Sequence, residues 1–529
     1  MKRNIILLVA MLLPLGIGAQ NLNPEVQVTN EYQTRIDDVA KKGPAMRIPD
    51  SLLRFDYHFD YSVFDSPYKG SYEFSPYSVT ITPDPKVYDG RKLYLRGGLG
   101  YVLKPELDVV WAAVDQKRMA VNVFASGKGY YGNYRHITPL TLQLDKKTLD
   151  KGWDFRTLVG ADARFNLGDF VLRTEFGYDG VYNGHKVFRR DNCHAPYLSA
   201  RVGYEKPGSF GFSAGAKYRY VHDWLNGVDP VIDNEVNVDA TITPYLFDDY
   251  HLSADIAFCY NLFYTAVNIH PHAVFQLGNA DFDAGFRAGW YTGHFTICPD
   301  ITVSMHLLHN YLDVFAGAVG QDHLTQYWDY KTRVHRYHSS SYGDPRPVRE
   351  VADLFLGVRG HADFGLQYEL KGGYKFLKDA PFWAIGPVGE ETLGFQDCNM
   401  LHADLLLSWA SERFNLDGSF HYTNVPGEVA DRVFKPAAVT GTIKGGYNWK
   451  KRIYAGLSVN MSTNRTATLG NVTTKIPGFV DVGVWGEYKL NRRLSFWLNG
   501  SNLLAHDIRI SPMLSECGPA IIVGAAFSL

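Results

Sequence analysis

From Lys92 to Leu529 the chain alternates apolar and polar positions with a period of two. In Arg413–Tyr422, Phe414, Leu416, Gly418, Phe420 and Tyr422 alternate with Arg413, Asn415, Asp417, Ser419 and His421. Glu235–Thr243 repeats the pattern with Val236, Val238, Ala240 and Ile242 on one side, and His251–Tyr260 does so with Leu252, Ala254, Ile256, Phe258 and Tyr260. Phe212–Tyr220 sends Phe212, Ala214, Ala216, Tyr218 and Tyr220 one way and Ser213, Gly215, Lys217 and Arg219 the other. Alternation held for about ten residues predicts strands with one apolar and one polar face, because successive strand side chains point to opposite sides. A soluble sandwich would show the same alternation, so this pattern alone leaves two architectures open.

The punctuation between strands separates them. Tight polar turns recur at Asp115-Gln116-Lys117, Leu167-Gly168-Asp169, Lys206-Pro207-Gly208, Asp248-Asp249, Gly278-Asn279-Ala280, His309-Asn310, Ala362-Asp363, Ser411-Glu412, Lys450-Lys451 and Asn491-Arg492. Each interval between them holds one hairpin closed at its far end by a longer polar loop, as at 129–151, 320–349 and 378–391. Short turns at one rim and long loops at the other match outer-membrane barrels, with turns periplasmic and loops outside. Ten turns predict eleven hairpins and therefore about 22 strands, within roughly 18–22, with both ends of the barrel on the turn side. In the closing strand Ile521, Val523, Ala525, Phe527 and Leu529 form one apolar face, ending on Leu where an aromatic is commoner. A bilayer offers no water to satisfy an open sheet edge, so the sheet must close. The expected fold is all-β, a single large antiparallel transmembrane β-barrel over 92–529 with a short extended N-terminal segment.

That segment, 20–91, reads differently. Pro24, Pro44, Pro49, Pro67, Pro76, Pro83 and Pro85 break it, and only Arg35–Lys42 suits a helical turn or two. Ahead of it, Lys2 and Arg3, the apolar run Ile5–Leu15 and the small residues up to Ala19 form a secretory signal cleaved near Ala19. The predicted domains are thus 1–19 signal peptide, 20–91 extended periplasmic or lumenal segment, and 92–529 barrel, located in the bacterial outer membrane.

Composition narrows the function classes. Aromatics are 14% of the 529 residues, Gly numbers 50, charged residues are 20% and the net charge is −2. So even a balance removes the basic excess that nucleic-acid binding requires. Five scattered cysteines, Cys193, Cys259, Cys298, Cys398 and Cys517, make neither a disulfide framework nor a zinc site. The mean hydropathy of −0.19 looks soluble, but barrel strands are apolar on one face only.

Several stretches carry a family resemblance. Tyr32–Asp38, Ile48-Pro49-Asp50, Phe55-Asp56-Tyr57 and Asp60–Val63 precede the barrel, and Lys92–Tyr101 supplies a Gly-rich first strand with an aromatic end. Asn502-Leu503-Leu504 lies in the last hairpin, followed by Gly518, Gly524 and Phe527. Together these resemble the TonB-dependent-receptor-like outer-membrane β-barrel family lacking a recognisable plug domain. The likeness is specific at the two ends and a matter of strand pattern between them. It implies a channel or receptor-like transporter. The absence of a plug and coupling box puts energised uptake in question and leaves an alternative, a non-transporting scaffold or assembly subunit of an outer-membrane complex.

Candidate chemistry is sparse. Gly97-Gly98-Leu99-Gly100 lacks phosphate-loop spacing and reads as close strand packing. His270 and His272 share a face within reach of one metal ion, but Pro271 intervenes and no third ligand is near in sequence, so they read as lumen lining. The 321–350 loop, with His323, Tyr327, Trp328, Tyr330, Arg333, His335, Arg336, Tyr337 and His338, is expected outside the cell, offering aromatic and arginine contacts to a ligand or partner. Arg173, Glu175, Arg201, Lys217, Arg219, Asp239, Asp255 and Asp404 are expected to pair across a wet lumen. No G-x-S-x-G elbow is present, and no catalytic, cofactor or metal site is assigned, so the protein is not expected to be an enzyme or to use a cofactor. Expected partners are outer-membrane lipid and a periplasmic or cell-surface envelope protein, with no nucleic acid. A lumen of this size needs an obstruction. The segment 21–90 is the only non-barrel stretch the sequence offers for it.

Overall fold

The computed structural model describes residues 92–529 except 139–148, 187–188, 205–209, 245–249, 309–310, 340–342, 387–388, 428–429 and 471. The expected segments 1–19 and 20–91 lie outside the described residues. Strands β1 (Leu93–Tyr101), β2 (Glu106–Gln116), β3 (Met119–His136), β4 (Asp150–Leu167), β5 (Phe170–His185), β6 (Asp191–Tyr204), β7 (Gly211–Leu225), β8 (Val231–Thr243) and β9 (Tyr250–Tyr260) pair antiparallel in sequence. The meander continues through β10 (Thr265–Leu277), β11 (Ala280–Tyr291), β12 (His294–Leu308), β13 (Leu312–His323), β14 (Val348–Ala362), β15 (Leu366–Ile385), β16 (Glu391–Ala410) and β17 (Phe414–Asn424). Its last five ring strands are β19 (Val439–Trp449), β20 (Ile453–Ser462), β23 (Phe479–Lys489), β24 (Leu494–Ser501) and β27 (Ala520–Ser528), and β27 pairs back onto β1. The ring closes with 22 strands.

Smaller elements decorate the loop rim. β25 (Asp507–Arg509) and β26 (Leu514–Cys517) attach to β3, while β18 (Phe434–Lys435), β21 (Arg465–Leu469) and β22 (Val472–Ile476) form a separate three-stranded sheet. One helix, α1 (Tyr327–Arg333), stands in the β13–β14 connection.

Seven of the ten expected turns join consecutive strands within the described residues, and the sites at 206–208, 248–249 and 309–310 fall outside them, between strands that end beside them. Two expected loops are shorter than foreseen. β3 and β4 take 129–136 and 150–151 out of 129–151, and β15 and β16 leave only 386–390 of 378–391 as connection. These strands keep pairing beyond the membrane belt because their outer ends are packed on other loops, so polar composition there does not mark free loop.

Side chains sort as the alternation demands. Trp111, Phe176, Leu198, Phe286, Ile297 and Leu356 are exposed on the outside, and so are Phe414, Leu416 and Ile256 of the expected lipid face. Leu252, Phe258 and Phe420 share that face, half-buried between neighbours. An apolar belt around a closed sheet whose inner face is charged is the arrangement of a membrane-spanning barrel. The ring closes over Trp497, whose indole lies against Gly98 of β1 and Gly524 of β27, where any Cβ would sit 2.4 Å from it. The Arg96 guanidinium covers the same ring at 4.0 Å. The Gly-rich first strand is therefore close packing at the seam. All five cysteines are unpaired.

Candidate functional site

The inner wall carries two kinds of charge. Along β9–β17 the groups pair with neighbouring strands. Arg287 Nε donates to Asp300 Oδ2 at 3.1 Å and Lys371 Nζ reaches Asp353 at 3.1 Å. His402 lies between Asp353 (2.7 Å) and Asp404 (3.3 Å), and His421 meets Asp404 at 2.7 Å. Elsewhere on the wall Arg201 pairs with Asp239 at 2.7 Å and Tyr197 Oη donates to Glu175 at 2.8 Å. The expected paired lumen is present.

At the loop rim of β4–β8 the inward carboxylates have another partner. The 324–347 segment folds into the barrel rather than away from it. Helix α1 begins where the Gln326 N–H donates to Asp329 Oδ2 at 2.9 Å, and it presents Tyr327 and Lys331, one turn apart, on one face. Lys331 Nζ donates to Asp191 of β6 at 2.6 Å, to Asp223 of β7 at 2.8 Å and to the Tyr337 carbonyl at 2.9 Å. All three charged side chains are fully buried. Burial works to lower the Lys331 pKa, and the two carboxylates more than reverse it, so the ammonium stays charged. Tyr327 Oη also donates to Asp223.

The helix N-terminus is held in the same way. Glu235 of β8 accepts the otherwise unpaired Trp328 N–H at 2.9 Å, and Arg219, 3.6 Å from Glu235, stacks between Tyr197 (5.5 Å) and Trp328 (5.2 Å). Asn237 donates to Gln326 at 2.7 Å, and Tyr264 to the Thr325 carbonyl at 3.1 Å. Beyond the helix His335 meets Asp154 of β4 at 2.7 Å, and Arg336 donates to Asn183 of β5 at 2.9 Å. A segment that leaves β13 and returns at β14 thus reaches the inner wall as far as β4.

The other rim loops close over it. Tyr337 bridges in parallel to Glu391 of β16, whose carboxylate accepts from Ser511 Oγ (2.6 Å) and the Met513 N–H (2.7 Å) of the β24–β27 loop. Tyr327, Trp328, Tyr330, Val334 and Tyr337 form one apolar core with Tyr134, Val181, Val221, Trp383, Phe434 and Leu514. The tip of the β15–β16 hairpin is buried on both faces, Trp383 and Ile385 in that core and Phe382 and Ala384 against Val425 and Val433. One cavity at this rim, beside Tyr134, Trp153, His185, Arg333, Arg336 and Glu516, has a volume of about 50 Å³. That holds a few waters and no large solute.

Two expectations are corrected here. Tyr327, Trp328, Tyr330, Arg336 and Tyr337 of 321–350 are not an outer ligand surface, because they are buried in packing and polar contacts at the inner wall, while Arg346 is exposed. His323 is buried against Glu350 at 3.1 Å, and His338 is fully buried. The segment 21–90, which lies outside the described residues, is also not the only non-barrel stretch available to the lumen, since 324–347 lies against the inner wall among the described residues. The sequence did carry a signal for this. The inward positions Val181, Val221, Leu225 and Val231 are apolar at the rim, where a wet lumen would want polar groups. His270 and His272 do line the wall, and Asp255 of β9 lies beside them.

These features define a 22-stranded membrane barrel that carries an inward-folded segment against its inner wall at the loop rim. No protein-family model and no curated protein matches the sequence. Solved structures do match in fold. The FrpB iron transporter from Neisseria meningitidis (F3-3 variant) superposes with TM-score 0.64 at 11% identity, over 84% of this chain and 82% of that one. The siderophore receptor PirA from Acinetobacter baumannii gives 0.63 at 8%, over 83% and 80%. The ferric-catecholate import receptor Fiu from E. coli K12 gives 0.61 at 10%, over 83% and 82%. At such identities the likeness is one of fold, and at that level it meets the resemblance drawn from the two ends of the sequence.

Proposed function

We propose that this protein is an outer-membrane, receptor-like transporter that passes a solute through its lumen when the 324–347 segment leaves the inner wall. The observation carrying this reading is Lys331, fully buried between Asp191 and Asp223. Replacing a buried ion triad by apolar residues is often neutral or stabilising. A segment held by charges rather than by apolar contact alone keeps a strong but separable anchor. The fold neighbours, by name receptors and importers, support transport. The signal-like leader supports export to the outer membrane, and an envelope protein acting at either rim belongs to the same proposal.

A second reading, a non-transporting scaffold in an outer-membrane complex, draws on the double-sided burial of the β15–β16 tip, which suits a permanent cap. One experiment separates them. Cells carrying wild type or Lys331→Met, at equal levels of folded barrel, are compared for uptake of a large hydrophilic antibiotic. Transport with a releasable segment predicts uptake raised several-fold by the substitution. Unchanged uptake contradicts it and favours the scaffold.

A further inference from the structure

Among the described residues, one group of three His, Cys, Asp or Glu side chains brings its donor atoms within 4.8 Å of one another: Asp255 of β9 with His270 and His272 of β10. All three face the lumen near the middle of their strands, since His270 is the cross-strand partner of Asp255 and Ile256 and Ile269 point outward. The imidazoles lie side by side with centroids 4.4 Å apart. Asp255 Oδ2 is 3.3 Å from His270 Nδ1 and 4.0 Å from His272 Nδ1. Donors of a tetrahedral ion bound at about 2.1 Å stand roughly 3.4 Å apart. One pair is already at that spacing, and the other needs only a small side-chain rotation.

The surroundings orient these donors. Thr241 Oγ1 donates to the remaining oxygen, Asp255 Oδ1, at 2.6 Å and so turns Oδ2 toward the imidazoles. The far nitrogen of His270, Nε2, lies 2.5 Å from Asp300 Oδ2, which Arg287 grips through Nε (3.1 Å) and Nη2 (3.0 Å). That contact lacks hydrogen-bond geometry as it stands, and a small ring rotation would let the carboxylate accept from Nε2 and leave Nδ1 free to bind, as in carboxylate–histidine–metal sites. His272 Nδ1 is buried and makes no hydrogen bond. The charge count agrees. Asp300 is committed to Arg287, whereas no described lysine or arginine pairs with Asp255.

We propose that Asp255, His270 and His272 bind a borderline divalent transition-metal ion, Zn²⁺ being the best match, on the lumen wall, with Asp300 and Thr241 as positioning residues. Two imidazoles and one carboxylate suit Zn²⁺ and its first-row neighbours and disfavour Ca²⁺ or Mg²⁺, which take oxygen ligands. Three protein ligands leave a fourth position open to lumen water or a passing donor. The site stands whether or not the barrel transports.

The test uses full-length, untagged protein in detergent, titrated with Co²⁺ as a spectroscopic substitute and then with Zn²⁺ as competitor. Wild type should bind one Co²⁺ with visible absorption of low-coordinate geometry, displaced by Zn²⁺. His272→Ala and the near-isosteric Asp255→Asn should each abolish that band, and Asp300→Asn should weaken affinity about 10–100-fold. His306→Ala, at a separate cluster where one histidine lies between Asp281 and Asp313, should leave the band unchanged. Heat-modifiable gel mobility checks folding of each variant. If wild type shows no such band, or keeps it in both His272→Ala and Asp255→Asn, the cluster is ordinary lumen lining and the assignment is wrong.

Discussion

The wall of β9–β17 and the rim of β4–β8 carry the same residue types on the same inward face, yet they solve different problems. On β9–β17 the carboxylates named above, Glu391 at the loop rim apart, find their partners on a neighbouring strand or across one, as Asp353 does with His402 and Lys371. The bases Lys371 and Arg287 keep part of their surface exposed. On β6–β8, Asp191, Asp223 and Glu235 are fully buried, and their main partners come from α1, more than a hundred residues away in sequence for the two aspartates. Inward carboxylates whose cation comes from outside the neighbouring strands, Asp191 and Asp223, mark the place where α1 docks, while Glu235 also has Arg219 of β7 beside it.

That contrast can be broken by substitution. Lys331→Met leaves two buried carboxylates without their cation and should cost about 3–5 kcal/mol, with 324–347 becoming protease-sensitive in a folded barrel. Adding Asp191→Asn and Asp223→Asn should recover much of that protection. Limited proteolysis on intact cells reads both.

Acid sharpens the comparison next. Burial, with Lys331 nearby, lowers the His338 pKa from its usual value to about 4. The unfolded segment then binds more protons than the docked one between pH 6.5 and 4. The His338 contribution to docking is therefore fully present above about pH 6.5 and is lost as pH falls toward 4, by about 1–3 kcal/mol. Proteolysis at pH 7 and pH 4.5 should show the segment released at the lower value, and His338→Leu should flatten the difference.

The wall should respond far less. Lys371→Met removes a partly solvated partner of Asp353, which keeps Lys375 (3.8 Å) and His402 (2.7 Å), and should cost under about 1 kcal/mol. Smallest of all is the turn rim. Lys450 and Lys451 both hold positive φ, 53° and 57°, where a glycine is unstrained. Lys451→Gly should gain about 0.5 kcal/mol in urea refolding without touching either charged region.

Much of this fold is legible in the sequence. Period-two alternation and ten turn clusters led to the 22-strand ring because strand faces and hairpin turns are local properties. Strand ends at the loop rim were less legible, since pairing there continues on tertiary packing that composition does not show. The inward fold of 324–347 was hidden for the same reason. Its aromatics read as a surface because their partners, Val181, Val221 and Trp383, are far away in sequence. Asp255 escaped notice as a neighbour of His270 because cross-strand register brings together residues 15 apart.

The central claim is that 324–347 lies against the inner wall and controls passage. In a protein with its five cysteines replaced, Gln326→Cys and Asn237→Cys flank the contact that the native side chains make at 2.7 Å and can be joined by a short, reducible bis-methanethiosulfonate linker. Single-channel conductance in planar bilayers, before and after reduction, then reports on the segment directly. The account predicts that the linker joins the two cysteines in the membrane, that the linked protein stays closed, and that reduction restores openings. A folded barrel that the linker does not join, or one whose conductance is the same linked and reduced, would contradict it.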